Sequence, residues 1–179
     1  MYVLCIEGVH GVGKTFQLKN IKDIEILNEG LMERDYWKFH PQDFPNEFQW
    51  IAEWFKRIIL CKKSNIILTD RSPFSAIFYT NNEYGKILKE PIKLYLKFLE
   101  SKNIIIKTIY LSEDREIIWK RIQQRLIEEP CRKLYKEDDR NWFDKIYDYY
   151  EKFDCWDYII KKDHEEEIKN IISMYKKKI

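Results

Sequence analysis

The chain is predicted to be an α/β protein of three layers, α/β/α, with a five-stranded parallel sheet and a short helical lid. Three observations predict this. Short, largely apolar runs alternate with helical stretches along all 179 residues, the pattern of strands covered on both faces by crossover helices. The first apolar run leads straight into a glycine-rich stretch that opens a helix. The third apolar run ends in an Asp-Arg pair, chemistry placed at a strand tip.

The first strand is Tyr2–Ile6 and the first helix Lys14–Ile21, joined through Gly8-Val9-His10-Gly11-Val12-Gly13-Lys14-Thr15. This is the pattern Gly, four residues, Gly-Lys-Ser/Thr, whose backbone N–H groups curl around phosphate oxygens. The curl takes backbone angles that side chains resist. Three of the chain's five glycines stand here. The helix N-terminus adds its positive dipole end. Gly8 to Thr15 are therefore expected to hold a nucleoside triphosphate, with Lys14 on the β- and γ-phosphates and the Thr15 hydroxyl on Mg²⁺.

The second strand, Ile24–Leu27, runs into Asn28-Glu29-Gly30-Leu31-Met32-Glu33. Glu29, just past the strand end, is placed to accept a proton from an attacking hydroxyl, and Glu33 is the second candidate. Trp37 and Phe39 are either pocket wall or packing, and His40 receives no role. The helix Asn46–Cys61 follows, with Phe48, Ile51, Phe55, Ile58 and Ile59 as its apolar face. Gln49, near its start, offers an amide donor and acceptor side by side, suited to the edge of a base.

The third strand, Asn65–Thr69, ends at Asp70-Arg71-Ser72. An acid at a strand tip beside a phosphate loop can hold Mg²⁺, directly or through water. Arg71 stands where water-activating ATPases usually carry a second acid. Its guanidinium suits phosphate and favours transfer to a bound acceptor over hydrolysis. After the helix Pro91–Ser101 and the strand Ile104–Leu111, Ser112 is expected to cap the helix Glu113–Leu126. Arg121 and Arg125 lie one turn apart on it. Pro130 then breaks the helix. The stretch from about 126 to 140 is expected to be a lid whose cations close over the triphosphate and exclude water, with Arg132 and Arg140 as secondary members. The helices Asp138–Phe153 and His164–Tyr175 flank a last strand, Tyr158–Ile160.

Bulk properties bound the rest. Charged residues make up 35% of the chain yet cancel to a net +2, so no field for nucleic acid or an anionic membrane is expected. The four cysteines are far apart and lack His neighbours. Neither a metal cluster nor a disulfide framework follows, and reduced thiols in a cytoplasmic protein are the expectation. No leader peptide is expected before the first strand, and no apolar run approaches a membrane span. Without a repeat or a composition break, residues 1–179 read as a single domain.

Together these residues resemble the deoxynucleoside kinase and thymidylate kinase group of phosphate-loop enzymes. The resemblance rests on Ile6-Glu7-Gly8 through Thr15, Asn28-Glu29-Gly30, Phe48-Gln49, Asp70-Arg71-Ser72-Pro73-Phe74-Ser75-Ala76, and Arg121-Ile122-Gln123-Gln124-Arg125. It implies a phosphate-loop kinase fold, Glu29 as the acid that deprotonates the sugar hydroxyl, Gln49 as the base-reading amide, and Arg71 near the transferred phosphate. Ala76 matches thymidine-accepting members, which leans towards a pyrimidine acceptor. The chain departs from the pattern at Glu29-Gly30, at Ile77 and at Ile127, and its Asp70-Arg71 is closer to thymidylate kinases. The acceptor stays open between a nucleoside and a nucleoside monophosphate, the latter calling for further cations such as Arg34, Lys56 or Arg57. The expectation is an ATP- and Mg²⁺-dependent phosphotransferase in which Lys14, Glu29, Arg71, Arg121 and Arg125 are catalytic, with a homodimer formed through the helices beside the third strand. Two alternatives stand beside it: an ATPase or switch acting on a macromolecular partner, and a nucleotide binder without catalysis.

Overall fold

The computed structural model describes residues 1–29, 39–61, 64–80 and 83–179, so Gly30, Glu33, Arg34 and Trp37 lie outside the described residues. Five strands, β1 (Tyr2–Glu7), β2 (Glu25–Leu27), β3 (Ile66–Asp70), β4 (Ile105–Leu111) and β5 (Tyr158–Ile160), form one parallel sheet in the order β2-β3-β1-β4-β5. Val3, Leu4, Cys5 and Ile6 are all fully buried. Successive strand residues face opposite sides, so this run requires cover on both faces. Fully burying a side chain such as Leu4 or Ile6 is worth about 1.5–3 kcal/mol, and that is why an unbroken apolar run sits at the centre of the sheet. The edge strands β2 and β5 have only three residues each, which leaves little open edge.

Seven helices are described: α1 (Lys14–Lys19), α2 (Phe44–Leu60), α3 (Ser75–Tyr79), α4 (Lys89–Ser101), α5 (Arg115–Glu128), α6 (Arg140–Lys152) and α7 (His164–Lys176). Two 3-10 helices, Glu83–Leu88 and Pro130–Tyr135, precede α4 and α6. The three-layer class and the strand assignments agree with the sequence reading. The helical details differ at three places. The buried face of α2 is Trp50, Ile51, Trp54, Phe55 and Ile58, with Phe48 and Ile59 exposed. The two tryptophans set the phase of that helix because they carry the largest apolar surface. The cap of α5 is Asp114, whose carboxylate accepts the N–H groups of Glu116 at 2.9 Å and Ile117 at 3.1 Å. Ser112 instead donates to Glu151 Oε1 at 2.9 Å. The short α3 begins two residues after Pro73, with Phe74 at its N-cap, and the sequence reading has no helix there.

Among the described residues no helix is long and apolar enough to cross a membrane, and the four cysteines are free thiols.

Candidate functional site

Because β1 is central, the loop after it opens at the carboxyl edge of the sheet, between the end of β3 and the end of β4. Gly13 precedes α1 with a φ of 108°, a left-handed geometry that needs no Cβ, and nothing lies within 4 Å of where one would stand. Gly11, at φ 86°, is excluded from bearing a side chain by contact as well: its Cβ would meet Ile122 Cγ1 of α5 at 2.7 Å. The loop therefore stays thin, and α5 can close against it. Lys14 is buried and folds back onto the loop, donating to the carbonyls of Gly8 at 2.8 Å and Val9 at 3.2 Å. Burial, then the nearby Arg71 cation, lower its pKa to about 8 against the pull of Asp70, Glu29 and Glu7.

Across the crevice stands the tip of β3. Thr15 Oγ1 donates to Asp70 Oδ2 at 2.9 Å, while Asp70 Oδ1 is buried without a partner. A hydroxyl beside an orphaned carboxylate oxygen suits a hard cation that keeps most of its ligands as water and phosphate. Among the described residues no cluster of three His, Cys, Asp or Glu exists to hold a metal unaided. Thr15 and Asp70 thus fit Mg²⁺ arriving with a nucleotide.

Arg71 adopts a left-handed φ of 73°, which a non-glycine residue holds only when its surroundings over-determine it. Here they do: Trp54 Nε1 at 3.2 Å and Thr69 Oγ1 at 2.7 Å both donate to the Arg71 carbonyl. The guanidinium meets Glu29 Oε1 at 2.7 Å through Nε, as an ion-pair contact without an aligned hydrogen bond. It also donates to Tyr150 Oη at 3.1 Å and lies over the Tyr79 ring at 4.6 Å. Burial opposes its charge, but Glu29 and the two tyrosines more than offset this and hold its pKa well above the ordinary value.

Beneath Arg71 lies a residue to which the sequence reading gave no role. Glu7, fully buried at the end of β1, accepts Ser72 N–H at 2.7 Å, Ser72 Oγ at 2.6 Å, Ser75 Oγ at 2.9 Å and Tyr150 Oη at 3.0 Å. One carboxylate thereby fixes the turn after β3, the start of α3 and the inner face of α6. Its signal was its place: an acid closing a strand otherwise buried and apolar.

The lid cations divide. Arg125 pairs with Glu137 Oε2 at 2.5 Å and Arg132 with Glu137 Oε1 at 3.3 Å, around a carboxylate that is itself buried. Arg121 donates to the Val12 carbonyl at 3.4 Å and pairs with Glu113 at 3.2 Å. Arg140 pairs with Glu116 and Asp144 instead and lines neither cavity described below. His40, given no role from the sequence, is a tie. It accepts the Gln42 N–H on Nδ1 at 3.2 Å, which leaves Nε2 to donate to the Leu134 carbonyl at 2.7 Å.

Two cavities meet over these groups. A phosphate-side cavity of about 280 Å³ is lined by the loop, Lys14, Thr15, Asp70, Arg121, Arg125 and Arg132. A much smaller neighbour, of about 30 Å³, is lined by Gln42, Glu47, Trp50, Ser75, Tyr79 and Tyr135. His10, Glu29, Arg71 and Glu137 border both. Burial and then the surrounding cations (Arg71, Arg125, Lys14, Arg132) push His10 well below its ordinary pKa, so its imidazole is neutral. Among the described residues, seven buried side-chain N or O atoms have no hydrogen-bond partner. Apart from Arg71 Nε, which faces Glu29, four of them, His10 Nε2, Gln42 Oε1, Asp70 Oδ1 and Arg125 Nε, belong to residues lining one or both cavities. Buried polar groups are almost always satisfied, so this concentration marks where a polar ligand would sit.

The structure brings together Gly11, Gly13, Lys14, Thr15, Glu29, Asp70, Arg71, Arg121 and Arg125, with His10. Gly8, Val9 and Val12 form the loop backbone around which Lys14 and Arg121 close. It does not bring Gln49, which is exposed on α2 one residue off the inward phase set by Trp50. The amide in the cavity is Gln42, from the segment before α2, with its Nε2 on the Tyr135 carbonyl at 3.4 Å. Nor does it bring Ala76, which is fully buried in the core. Lys56 pairs with Glu53 on the exposed side of α2, and Arg57 donates to the Asn28 carbonyl.

No family model and no curated protein matches the sequence. Solved structures do. Deoxyadenosine kinase from M. mycoides with bound dATP matches with a TM-score of 0.66 at 18% identity, over 96% of this chain and 99% of that one. Deoxyadenosine kinase from M. mycoides with bound dCTP gives 0.64 at 19% identity, over the same shares. At such identity the likeness establishes the fold: this chain is built as those two structures are, over nearly its whole length.

Proposed function

We propose that this chain is an ATP-dependent kinase that transfers the γ-phosphate to a deoxynucleoside. The observation that carries the reading is a row of three cavities. The acceptor-side cavity shares His10, Glu29, Arg71 and Glu137 with the phosphate-side cavity. The latter shares Gly13, Phe16 and Arg121 with a third, of about 620 Å³, lined also by Gln17, Lys161 and His164. Acceptor, triphosphate and donor base follow that order, and the acceptor-side cavity, about 30 Å³, must widen to take a nucleoside.

In this scheme Glu29 takes the proton from the acceptor hydroxyl, held by Arg71 at the join of the first two cavities. Lys14, Arg71, Arg121 and Arg125 offset the charge on the phosphates, so catalysis is chiefly positioning and electrostatics. Mg²⁺ bound at Thr15 and Asp70 would neutralise and orient the phosphate oxygens. Residues 126–140 act as the lid, carrying Arg132 and Glu137 over the crevice.

A nucleoside is favoured over a monophosphate by charge. The described lining of the acceptor-side cavity holds three carboxylates, Glu29, Glu47 and Glu137, against one Arg71. Arg71, the one cation in that lining among the described residues, is already paired with Glu29, which leaves a phosphate dianion no free cation there. The lean towards a thymidine-like base rested on Ala76, which lies in the core away from the cavity. Gln42 and Trp50 line it instead and offer an amide and an indole face to a base. Deoxyadenosine, the nucleoside in the names of the two similar structures, is the first acceptor to test.

The helices beside β3 also support a homodimer. α2 and α4 touch through Phe55 and Tyr95, at 4.0 Å between ring centroids, and leave Leu60, Leu94 and Phe98 exposed. Sedimentation of the wild type and of Leu94→Glu tests this: a dimer reduced to a monomer by the substitution is expected. Free thiols and an ATP substrate suit a cytoplasmic location.

The test of function is ATP consumption with Mg²⁺ alone and with a panel of deoxynucleosides. Consumption only in the presence of an acceptor is expected. Equal consumption without one would identify an ATPase or switch, and binding without consumption a non-catalytic binder.

A further inference from the structure

A cavity of about 650 Å³ opens on the far side of α3 from the proposed acceptor, between the 3-10 helix Glu83–Leu88 and α6. It shares no residue with the three cavities assigned above. Its volume is in the range that encloses small molecules. Phe78, Phe153 and Tyr149 contribute aromatic walls, and Lys86, Lys89, Lys145 and Lys152 surround them.

The spacing on α6 is orderly. Lys145, Tyr149 and Lys152 fall at i, i+4 and i+7, one face of a helix whose other face buries Phe143, Ile146 and Tyr150. Two acids, Glu83 and Asp154, also line the cavity. Asp154 is already engaged by Lys89 at 2.9 Å, and the Lys89 ammonium lies 5.1 Å from the centre of the Phe153 ring. Lys152 has only a loose contact with Asp148 at 3.7 Å. Lys86 and Lys145 have no ion-pair partner among the described residues. Lys145 lies over the Trp142 and Tyr149 rings at 5.3 and 5.8 Å, and Phe153 packs on Phe78 at 5.0 Å, so the cations and rings of this wall are already set against one another.

We propose that this cavity is a second small-molecule site, which takes an aromatic anion of about mononucleotide size. The ring of such a ligand lies against Phe153 and Tyr149, and its anionic group is met by Lys86, Lys145 and Lys152. The position is suited to an effector, because Ile77 and Phe78 line this cavity from the same short helix that gives Ser75 and Tyr79 to the acceptor side.

The test uses the full chain with its phosphate loop saturated by a non-hydrolysable ATP analogue and Mg²⁺. Adenosine monophosphate and 1-anilinonaphthalene-8-sulfonate are titrated by calorimetry, beside inorganic phosphate and the uncharged N-phenyl-1-naphthylamine. Both aromatic anions are expected to bind one per chain. Inorganic phosphate and the uncharged ring should bind about tenfold more weakly or worse, and Lys86→Glu with Lys145→Glu should weaken both aromatic anions by a similar factor. Both lysines are exposed, so an unchanged circular dichroism spectrum is expected, and Lys145→Ala serves as a milder second variant. No binding of either aromatic anion, equal affinity in the charge-reversed variant, or equally tight binding of the uncharged ring would overturn the proposal. The readout is binding, so its failure is distinct from a failure of the kinase reading.

Discussion

The two cavities that meet at Arg71 share a wall but not a charge. On the phosphate side Lys14, Arg71, Arg121, Arg125 and Arg132 outnumber Glu29, Asp70 and Glu137. On the acceptor side Glu29, Glu47 and Glu137 outnumber Arg71. Under the proposed function the difference has a use: a polyanion suits one half and a neutral polar molecule the other. In that proposal the shared residues, His10, Glu29, Arg71 and Glu137, stand at the crossing point of the phosphoryl group. Glu137 serves both halves, neutralising Arg125 and Arg132 while presenting a carboxylate to the acceptor side.

The largest effect should come from emptying the cationic half. Lys14→Ala is expected to cut turnover by about 10³-fold or more while leaving the fold intact, since a preorganised charge on the transferred phosphates is lost. Retained turnover with an unchanged circular dichroism spectrum would remove the loop from the chemistry. Next comes the shared wall. Glu29→Gln should lower kcat for a nucleoside by about 10²-fold, the usual worth of a positioned base; steady-state kinetics with a fixed acceptor measures it.

The support beneath that wall is tested through stability. Every partner of Glu7 donates to it, so Glu7→Gln sets an amide NH₂ among donors and should cost about 2–3 kcal/mol. Thermal unfolding is the measurement, and a fall in Tm of roughly 5–10 °C is expected for a chain of this size. An unchanged Tm would show that the Glu7 hydrogen bonds add nothing to stability. In the acceptor half, Gln42→Ala should raise the KM for the nucleoside by about tenfold, the worth of a lost buried hydrogen bond. Gln49→Ala should leave it unaltered, because Gln49 is exposed.

The smallest effect concerns protonation. Lys14 has a pKa of about 8 in the free protein, below its ordinary value, so it loses charge as the pH rises through 8. A bound triphosphate restores the proton. ATP affinity should therefore fall about fourfold from pH 7 to pH 8.5, with proton uptake on binding at the higher pH. Calorimetry in buffers of different ionisation heat reads both quantities, and pH-independent binding would contradict the shift.

The sequence made the cationic half legible and most of the acceptor half not. Gly8 to Thr15 form one contiguous motif, and Asp70-Arg71 are neighbours at a strand tip, so local pattern alone could place them. The acceptor wall is assembled from single residues of separate segments: Gln42 before α2, Glu47 and Trp50 on it, Tyr79 on α3, and Tyr135 and Glu137 after α5. No spacing rule links such positions. Gln49 is exposed because Trp50 and Trp54 decide the helix phase by burial, and the cavity is lined instead by Gln42, which the sequence did not single out. Ala76 is turned into the core by α3 and does not line the cavity. The sheet was readable because its strands are apolar runs, whereas α3 and the 3-10 helices are too short to show a period.

The central claim is the charge contrast, and one comparison tests it most directly. With ATP and Mg²⁺ held constant, kcat/KM is measured for deoxyadenosine and for its 5′-monophosphate. The nucleoside should exceed the monophosphate by about tenfold or more, since among the described residues Arg71 is the one cation lining that side and Glu29 already pairs with it. A monophosphate phosphorylated as well as the nucleoside, or better, would contradict the account.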